Sequence, residues 1–268
     1  MKYSSALIPG RLIKRYKRFL ADIELANGDI ITAHCANTGA MTGCADPGCR
    51  VWLWDSANPR RKLRYSWEWT EVAGLYKACI NTARANQLVA EFLQGQLTAE
   101  PGTAPASPPD SLTSLTISER FQGYTRVQRE PKVTDGRLDF LLQGEGLPDL
   151  YIEVKSLTLL REDRGHGMGC FPDARTERGL KHLRRLQQLQ QQGHRSLLLF
   201  CVALEGITRV AAAADIDPDY ATALAEVIHS GVEVLALPVQ FDVEQSSLQL
   251  LANQEIAVVS AAVAPGTE

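Results

Sequence analysis

Two short apolar stretches of the chain carry the side chains best suited to phosphodiester chemistry. Asp139 lies in the first stretch, and Glu153 and Lys155 lie two residues apart in the second. Side chains of a β-strand alternate between its faces, so Glu153 and Lys155 share one face while Ile152 and Val154 take the other. If Asp139 occupies the neighbouring strand, two carboxylates and an ammonium group meet in one pocket. This set of groups is suited to a site in which Asp139 and Glu153 bind Mg2+ or Mn2+.

Two interpretations of these three residues stay open on the pattern alone. As catalytic residues, Asp139 and Glu153 hold the metal, and Lys155 orients a water or balances charge in the transition state. As a structural feature, Glu153 forms a surface salt bridge with Lys155 or Arg137. Glu130, on the preceding strand, is either a further carboxylate of the site or a surface acid. A D-x(13)-E-x-K pattern is common by chance, so the elements around it must decide.

The elements around these residues follow patterns typical of a compact α/β domain with a mixed sheet. A helix over residues 219–229 has Asp217 as a candidate cap and Pro218 at its first position. Strands are predicted over 124–132, 138–142, 150–156, 196–203, 232–238 and, more weakly, 247–251, and a further helix over 176–192.

The helix predicted over residues 176–192 has a basic face. Its basic residues follow the i, i+3, i+4, i+7 spacing that places side chains on one side of a helix: Arg178, Lys181, His182 and Arg185. Beside a carboxylate pocket, such a face would bind the phosphate backbone without reading base sequence. The alternative is an ordinary solvated face. His182 could also donate a proton, although a single histidine on a helix is more often not catalytic.

The first part of the chain predicts a small antiparallel barrel. Short strand patterns over residues 19–25, 30–34, 50–54, 65–72 and 76–80 precede any convincing helix, which favours an OB-like barrel. A basic segment leads into it and carries the predicted nucleic-acid contacts Arg11, Lys14, Arg15, Lys17 and Arg18.

Aromatic residues of this barrel allow two interpretations. Tyr16, Phe19, Trp52 and Trp54 could stack on bases while the neighbouring lysines and arginines contact phosphates. Alternatively, the tryptophans form the barrel core and the basic residues a solvated edge. The glycine-rich loop over residues 37–43 is compatible with a backbone cradle for phosphate or with an ordinary turn.

Composition narrows the functional class. The 268 residues are 45% hydrophobic and 22% charged with a net charge of −3, so nucleic-acid binding must depend on local basic patches. No apolar run approaches the roughly 18 residues of a membrane span, and residues 1–4 lack a signal-peptide core. We therefore expect no membrane partner and a cytoplasmic location. The six cysteines form no C-x-x-C pair and are interpreted as free thiols.

The chain divides into three predicted regions. Residues 1–82 form the OB-like barrel, residues 83–238 the α/β domain, and residues 239–268 a last strand and tail. A helix over Ala83 to Leu93 with Gly95 as its stop opens the second region. Residues 98–112 are rich in Pro, Ala, Ser and Thr and are interpreted as a mobile insert.

Six motifs in order resemble the bacterial sugar fermentation stimulation protein A family over about residues 1–240. They begin at Leu7, His34, Asn81, Arg137, Tyr151 and Phe171, and read LIPGRL with YKRF, HCANTGAM, NTARAN, RLDF, YIEVK and FPDARTERGLKHL. Ala36 stands where the family usually has proline, and the insert lengthens the region between the domains.

The resemblance implies an N-terminal OB-like domain and a C-terminal domain similar to the PD-(D/E)xK nucleases. The fold class of the whole chain is then α/β (α+β), with an antiparallel barrel followed by a mixed-sheet domain. The nuclease signature then falls on Asp139, Glu153 and Lys155. The resemblance also implies non-specific DNA binding and a regulatory role in sugar (maltose-type) metabolism. An active Mg2+- or Mn2+-dependent endonuclease is the alternative function. RNA as a partner and a homodimer are left open.

Overall fold

The computed structural model of the chain describes residues 1–98, 116–134 and 136–259. The predicted insert lies outside these residues except for Thr98, which ends the first helix. Of the predicted C-terminal region, residues 260–268 also lie outside them.

The N-terminal part is a closed barrel. Its strands are β1 (Ile8–Tyr16), β2 (Leu20–Leu25), β3 (Ile30–Cys35), β4 (Arg50–Asp55), β5 (Tyr65–Val72) and β6 (Tyr76–Cys79). They lie in the order β3-β2-β1-β4-β5-β6, and β3 also pairs parallel with β5, which closes five strands into a ring. The predicted OB-like barrel is confirmed.

The tryptophans of this barrel are divided between two apolar clusters. Trp67 is fully buried in the barrel core, whereas Trp52 and Trp69 are buried where the barrel packs against the rest of the chain. Trp52 is therefore not available to stack on bases, and it does not lie in the barrel core either. Phe19 is half-exposed at the turn between β1 and β2. Strand β1 went unpredicted because its register shifts between Leu12 and Lys14, and such a bulge breaks the alternation that identifies a strand.

The rest of the chain forms helices and two further sheets. In chain order the elements are α1 (Ala83–Thr98), α2 (Ile117–Phe121), β7 (Arg126–Arg129), β8 (Lys132–Val133), β9 (Gly136–Arg137), β10 (Phe140–Gln143), β11 (Leu150–Leu157), β12 (Leu159–Leu160), a 3-10 turn (Glu162–Arg164), β13 (Met168–Phe171), α3 (Glu177–Gln191), β14 (Arg195–Val202), β15 (Arg209–Ala212), α4 (Pro218–His229), β16 (Glu233–Asp242), β17 (Ser247–Leu250) and β18 (Ala257–Val259).

The main sheet is mixed, as predicted. Its order is β17-β16-β14-β11-β10-β7, in which β11, β14 and β16 run parallel and the outer strands antiparallel. A second sheet has the order β12-β13-β15-β18, and β8 and β9 form a separate hairpin. Buried strands such as β14 are almost wholly apolar, as expected of parallel strands covered on both faces.

Helix α3 lies on the main sheet through Leu183, Leu186 and Leu189, which are buried. Its first turn is fixed by two residues. The Thr176 hydroxyl accepts a hydrogen bond from Gly179 N at 2.9 Å, and the Asp217 carboxylate, which caps α4, accepts one from Thr176 N at 2.8 Å. The start of α3, where its basic residues lie, is therefore held by α4.

The barrel and the main sheet share packing. Trp69 of the barrel meets Phe241 of β16 edge to face, with ring centroids 5.3 Å apart. The backbone N–H of Cys79 donates to Ala203 O at 2.8 Å. Within the described ranges, no helix has the length and apolar character that crossing a membrane requires.

Candidate functional site

Asp139 immediately precedes β10, where two other elements hold its carboxylate. Its Oδ2 atom accepts a hydrogen bond from the backbone N–H of Val154 in β11 at 2.8 Å. Its Oδ1 atom accepts one from Nδ2 of Asn86 in α1 at 2.6 Å. The carboxylate is thus held against β11 close enough to Glu153, the residue before Val154, for the two charges to interact.

Glu153 and Lys155 lie together on β11, and His182 of α3 covers them. Glu153 is buried, and its Oε1 atom accepts a hydrogen bond from Lys155 Nζ at 2.7 Å and contacts Nδ1 of His182. Lys155 Nζ is also 3.3 Å from His182 Nδ1. The other oxygen of Glu153, Oε2, is buried and has no hydrogen-bond partner among the described residues.

The salt-bridge alternative is half right. Glu153 does pair with Lys155, but Glu153 is buried and Lys155 half-buried, whereas the alternative placed the pair at the surface. Arg137 is bound elsewhere, to Glu130 at 2.9 Å, and both of those side chains are exposed. Glu130 therefore lies in a surface ion pair, and the first interpretation of that residue, as a site carboxylate, is not what the structure shows.

Burial and charge act differently on the two carboxylates. Burial and the neighbouring charge of Glu153 raise the pKa of Asp139, against the hydrogen bonds from Val154 and Asn86. Burial also favours the neutral form of Glu153, but the hydrogen bond from His182 and the charge of Lys155 outweigh it, so the pKa of Glu153 is lowered. The site therefore concentrates negative charge on Glu153 and makes it costly on Asp139.

A cleft of about 290 Å³ surrounds these residues. Its walls come from the barrel, from α1, from the ends of β10 and β11, and from α3. The lining residues are Asn37, Thr82, Ala85, Asn86, Asp139, Glu153, Val154, Lys155, Ser156, Thr158, Leu159, Cys170, Phe171, Asp173, Arg178 and His182. Asp139, Glu153 and Lys155 thus face one space that both halves of the chain enclose.

Only part of the basic face of α3 lies at the cleft. Arg178 and His182 line the cleft, and Arg178 Nε is 3.5 Å from His182 Nε2. Lys181 is exposed and Arg185 half-buried, and neither lines it. Two of the four predicted residues therefore belong to the cleft, because helical spacing places them on its side of α3.

The predicted basic residues of the barrel are also dispersed. Arg11 donates to Gly48 O at 2.7 Å, and Lys14 lies 3.5 Å from Asp22. Lys17 and Arg18 form the β1–β2 turn with φ of 49° and 65°.

Arg15 has a different task. Its Nη2 atom donates to the carbonyl oxygens of Asn37 and Gly39, each at 3.0 Å. Arg15 thereby fixes the loop that forms the barrel side of the cleft. The glycine-rich loop over residues 37–43 is therefore part of the site's frame.

Sequence reasoning assigned no role to three residues of the cleft: Asn37, Asn86 and Asp173. All three lie within motifs that carry the family resemblance, and this was the signal that could have found them. Asp173 accepts a hydrogen bond from Met41 N at 3.2 Å, which joins the loop after β13 to the barrel. None of the three belongs to a recognisable spacing pattern, and only the fold brings them to the cleft.

The residues present fit a divalent cation with one restriction. No cluster of three or more His, Cys, Asp or Glu side chains in the described ranges is arranged to hold a metal. The carboxylates of Asp139 and Glu153 line one cleft, however, and the buried Oε2 of Glu153 has no partner among the described residues. Mg2+ commonly uses one or two carboxylates and keeps several waters, so this donor set suits it.

Comparison with known proteins agrees with this architecture. The family models described as the sugar fermentation stimulation protein RE domain and the SfsA N-terminal OB domain match residues 83–245 and 13–80. A sugar fermentation stimulation protein homolog of Aeromonas salmonicida is 48% identical over 237 residues, covering 88% of this chain and 88% of the relative. A homolog of Haemophilus influenzae is 44% identical over 238 residues, covering 89% and 91%.

A solved structure has the same fold. SfsA of Pyrococcus furiosus in complex with Ca2+ is 24% identical, with a TM-score of 0.78, and the match covers 97% of this chain and 98% of that one.

Proposed function

The chain belongs to the sugar fermentation stimulation protein family, and on that premise we propose that it is a DNA-binding, metal-dependent nuclease. DNA binds through backbone contacts, and Mg2+ or Mn2+ binds between Asp139 and Glu153. One observation carries the proposal: Glu153, whose buried Oε2 has no hydrogen-bond partner among the described residues, lines the same cleft as Asp139. A buried carboxylate oxygen without a partner is costly, and a cation there would remove that cost.

The metal would supply Lewis-acid polarisation of the phosphoryl oxygen. Asn86 and the backbone of Val154 hold the Asp139 carboxylate in position. Lys155, beside Glu153, places a positive charge where negative charge develops on the phosphoryl group. Arg178, at the wall of the cleft, provides a contact for a neighbouring phosphate.

The relative from Pyrococcus furiosus supports the class of cation. Its structure is described as a complex with Ca2+, which, like Mg2+, prefers oxygen ligands. The OB-like barrel supports nucleic acid as the substrate class, because such barrels bind oligonucleotides.

The second candidate is a protein that acts through occupancy of DNA, without cleavage, in the regulation of sugar metabolism. The observation that favours it is the engagement of Lys155 with both Glu153 and His182. An ammonium group held in this way is partly neutralised, which weakens its help to a transition state.

One experiment separates the two. Labelled single-stranded and duplex DNA, and RNA, are incubated with the wild type, Asp139→Ala, Lys155→Ala and the control Glu145→Ala, in Mg2+ or Mn2+. Glu145 is exposed and does not line the cleft that contains Asp139 and Lys155. We expect cleavage by the wild type and the control, and none by the other two.

The binding of the same strands in Ca2+ is measured in parallel. Wild-type binding without cleavage under any metal, with affinity unchanged or raised in Asp139→Ala, would establish the occupancy function instead. An absence of both binding and cleavage would remove both candidates.

A further inference from the structure

A second pocket of about 540 Å³ lies next to the cleft. Its walls are the β1–β2 turn and the 37–43 loop of the barrel on one side, and the segment between β13 and α3 on the other. The lining residues are Arg15, Arg18, Thr38, Gly39, Ala40, Phe171, Pro172, Asp173, Ala174, Arg175 and Thr176. Phe171 and Asp173 also line the carboxylate cleft, so the two spaces are adjacent.

Two arginines of this pocket are available to a ligand. Arg18 and Arg175 are exposed, and in the described part of the chain neither guanidinium has a hydrogen bond or an ion pair. Arg18 comes from the barrel and Arg175 from the segment before α3. The pocket thus has a cation on each side, contributed by different halves of the chain.

Arg15 braces this pocket. It donates from Nη2 to Asn37 O and Gly39 O, and from Nε to Arg18 O at 3.2 Å. These bonds fix the loop wall and the backbone from which the Arg18 side chain projects. The arrangement is therefore held before a ligand arrives, which lowers the entropy lost on binding.

The charge of the lining favours an anion. Three arginines stand against one carboxylate, that of Asp173, which is already bound to Met41 N. The pocket also lies at the N-terminal end of α3, where the helix dipole is positive. Arginine guanidinium groups match phosphate oxygens in geometry as well as charge.

We propose that this pocket is a phosphate subsite, in which Arg18 and Arg175 hold a phosphate group of the nucleic-acid strand whose scissile bond lies at Asp139 and Glu153. This inference rests on the proposed function and extends it by naming the path of the strand: from the carboxylate cleft, past Phe171 and Asp173, into the junction of barrel and sheet. The phosphate is either internal to the strand or its terminal phosphate.

The test uses short single-stranded DNA labelled at its 3′ end, with either a 5′-hydroxyl or a 5′-phosphate, and Ca2+ in place of Mg2+. Affinity is measured against salt concentration for the wild type, Arg18→Gln/Arg175→Gln, and the control Arg126→Gln/Arg129→Gln. Arg126 and Arg129 are exposed arginines of β7 and line neither space. Thermal unfolding of each variant verifies its fold.

We expect Arg18→Gln/Arg175→Gln to lose about tenfold or more in affinity, because charge-assisted hydrogen bonds to the phosphate are lost, with the salt slope lowered by about 0.7 for that one phosphate. The control keeps its affinity and slope. Loss on both strands identifies an internal phosphate, and loss confined to the 5′-phosphorylated strand identifies a terminal one. Unchanged binding by the pocket variant, or an equal loss in the control, overturns the subsite.

Failure of the proposed function has a different signature. A wild type that binds neither strand removes both the function and the subsite. A wild type that binds and cleaves, together with a pocket variant that binds equally well, removes the subsite alone.

Discussion

The two carboxylate oxygens of Glu153 have different surroundings, and this difference organises the site. Oε1 meets Lys155 and His182, while Oε2 is buried and has no partner in the described ranges. Each oxygen of Asp139 accepts one hydrogen bond, from Asn86 and from Val154 N–H, and these bonds fix the orientation of the carboxylate. A cation bound here, as the proposed function requires, would give Oε2 a partner and offset the mutual repulsion of the two carboxylates.

Metal binding should therefore stabilise the fold through Asp139. Mn2+ at about 100 times its Kd should raise the free energy of unfolding of the wild type by about 2.7 kcal/mol. Asp139→Asn should lose this response. Its amide oxygen can keep the bond from Val154 N–H, and Asn86 can turn its own amide oxygen toward the new NH2 group. Without metal, the loss of a charge that burial and Glu153 disfavour should therefore leave the variant at least as stable as the wild type. Thermal unfolding with and without Mn2+ measures both effects.

The matched control for this prediction is Glu145→Gln, an exposed acid. It should respond to Mn2+ like the wild type. A full Mn2+ response in Asp139→Asn would show that the cation binds elsewhere.

His182 should act by positioning Glu153. His182→Ala removes its contact with Oε1, and we expect nuclease activity to fall about 10–100-fold, as for other partners of metal ligands. The control is Lys181→Ala, one residue earlier on α3, which is exposed and does not line the cleft.

Cleavage rates in saturating Mn2+ and strand affinity in Ca2+ separate the two roles of His182. The positioning role predicts a slower rate with unchanged affinity. Loss of affinity alone would assign His182 to strand binding, as the basic face of α3 first indicated.

The sequence could predict the charged residues of the site better than its polar ones. Strand alternation places Glu153 and Lys155 on one face of β11, and the pairing of β10 with β11 brings Asp139 into the same cleft. Both features could be predicted from the pattern of apolar and charged residues. Asn86 lies 53 residues before Asp139 and contacts it only because α1 packs beside the sheet. No local pattern encodes such a contact.

At the scale of elements, the 37–43 loop must approach the segment after β13 closely. A Cβ atom added to Gly39 would lie 2.9 Å from Asp173 Oδ2 and 3.0 Å from Asn37 Oδ1. Those atoms belong to residues that line the cleft and are bonded to the loop itself. Glycine is required here because of close approach and not because of its backbone angles.

Gly39→Ala should therefore destabilise the chain by about 1–3 kcal/mol, the typical cost of overpacking. Gly95→Ala is the control substitution, for which we expect a change in stability of the opposite sign. Gly95 is exposed within α1 and has no atom within 4 Å of an added Cβ, so alanine should stabilise the helix by about 0.5–1 kcal/mol. Urea unfolding of the two variants gives both signs, and destabilisation of equal size in both would contradict the close-approach argument.

Gly95 also shows where element prediction ends. The sequence predicts it as the stop of the helix, but α1 continues to Thr98. A glycine inside a helix weakens it without ending it, and Leu88 and Phe92 on the buried face hold α1 in place. The second sheet was missed for a related reason: β12, β13, β15 and β18 have two to four residues each, too few for a period to be recognised.

At the scale of the whole molecule, a buried polar network ties the barrel to α1. Glu68 of β5 is fully buried, and it accepts hydrogen bonds from Arg84, Asn81 and Tyr3. Arg84 also lies over the Tyr3 ring at 5.0 Å. All lone pairs of the carboxylate have partners here, in contrast to Glu153.

The predicted boundary at residue 82 lies inside this network, between Asn81 and Arg84. The sequence marks the change from strand to helix there, and the matches of the two family models also meet there. Composition does not reveal that Glu68 will be buried against residues from the far side of the boundary. The division into regions 1–82, 83–238 and 239–268 is therefore a prediction about chain organisation and not about independent folding.

We expect the barrel and the sheet to unfold together. All four tryptophans, Trp52, Trp54, Trp67 and Trp69, lie in β4 and β5, so their fluorescence reports the barrel. The described helices α1 to α4 lie outside it, so far-ultraviolet circular dichroism reports mainly the remainder. Coincident urea transitions by the two probes are the expected result.

Arg84→Met tests the cause of that coupling. It leaves the Glu68 carboxylate buried without its charge partner, which should cost about 3–5 kcal/mol. Arg126→Met, at an exposed arginine of β7, should be neutral. If the network couples the two halves, the urea midpoint of Arg84→Met falls equally by fluorescence and by circular dichroism. A fall in the fluorescence midpoint alone would show that the barrel unfolds by itself. In that case the packing of Trp69 against Phe241 of β16 does not join the barrel and the sheet into one cooperative unit.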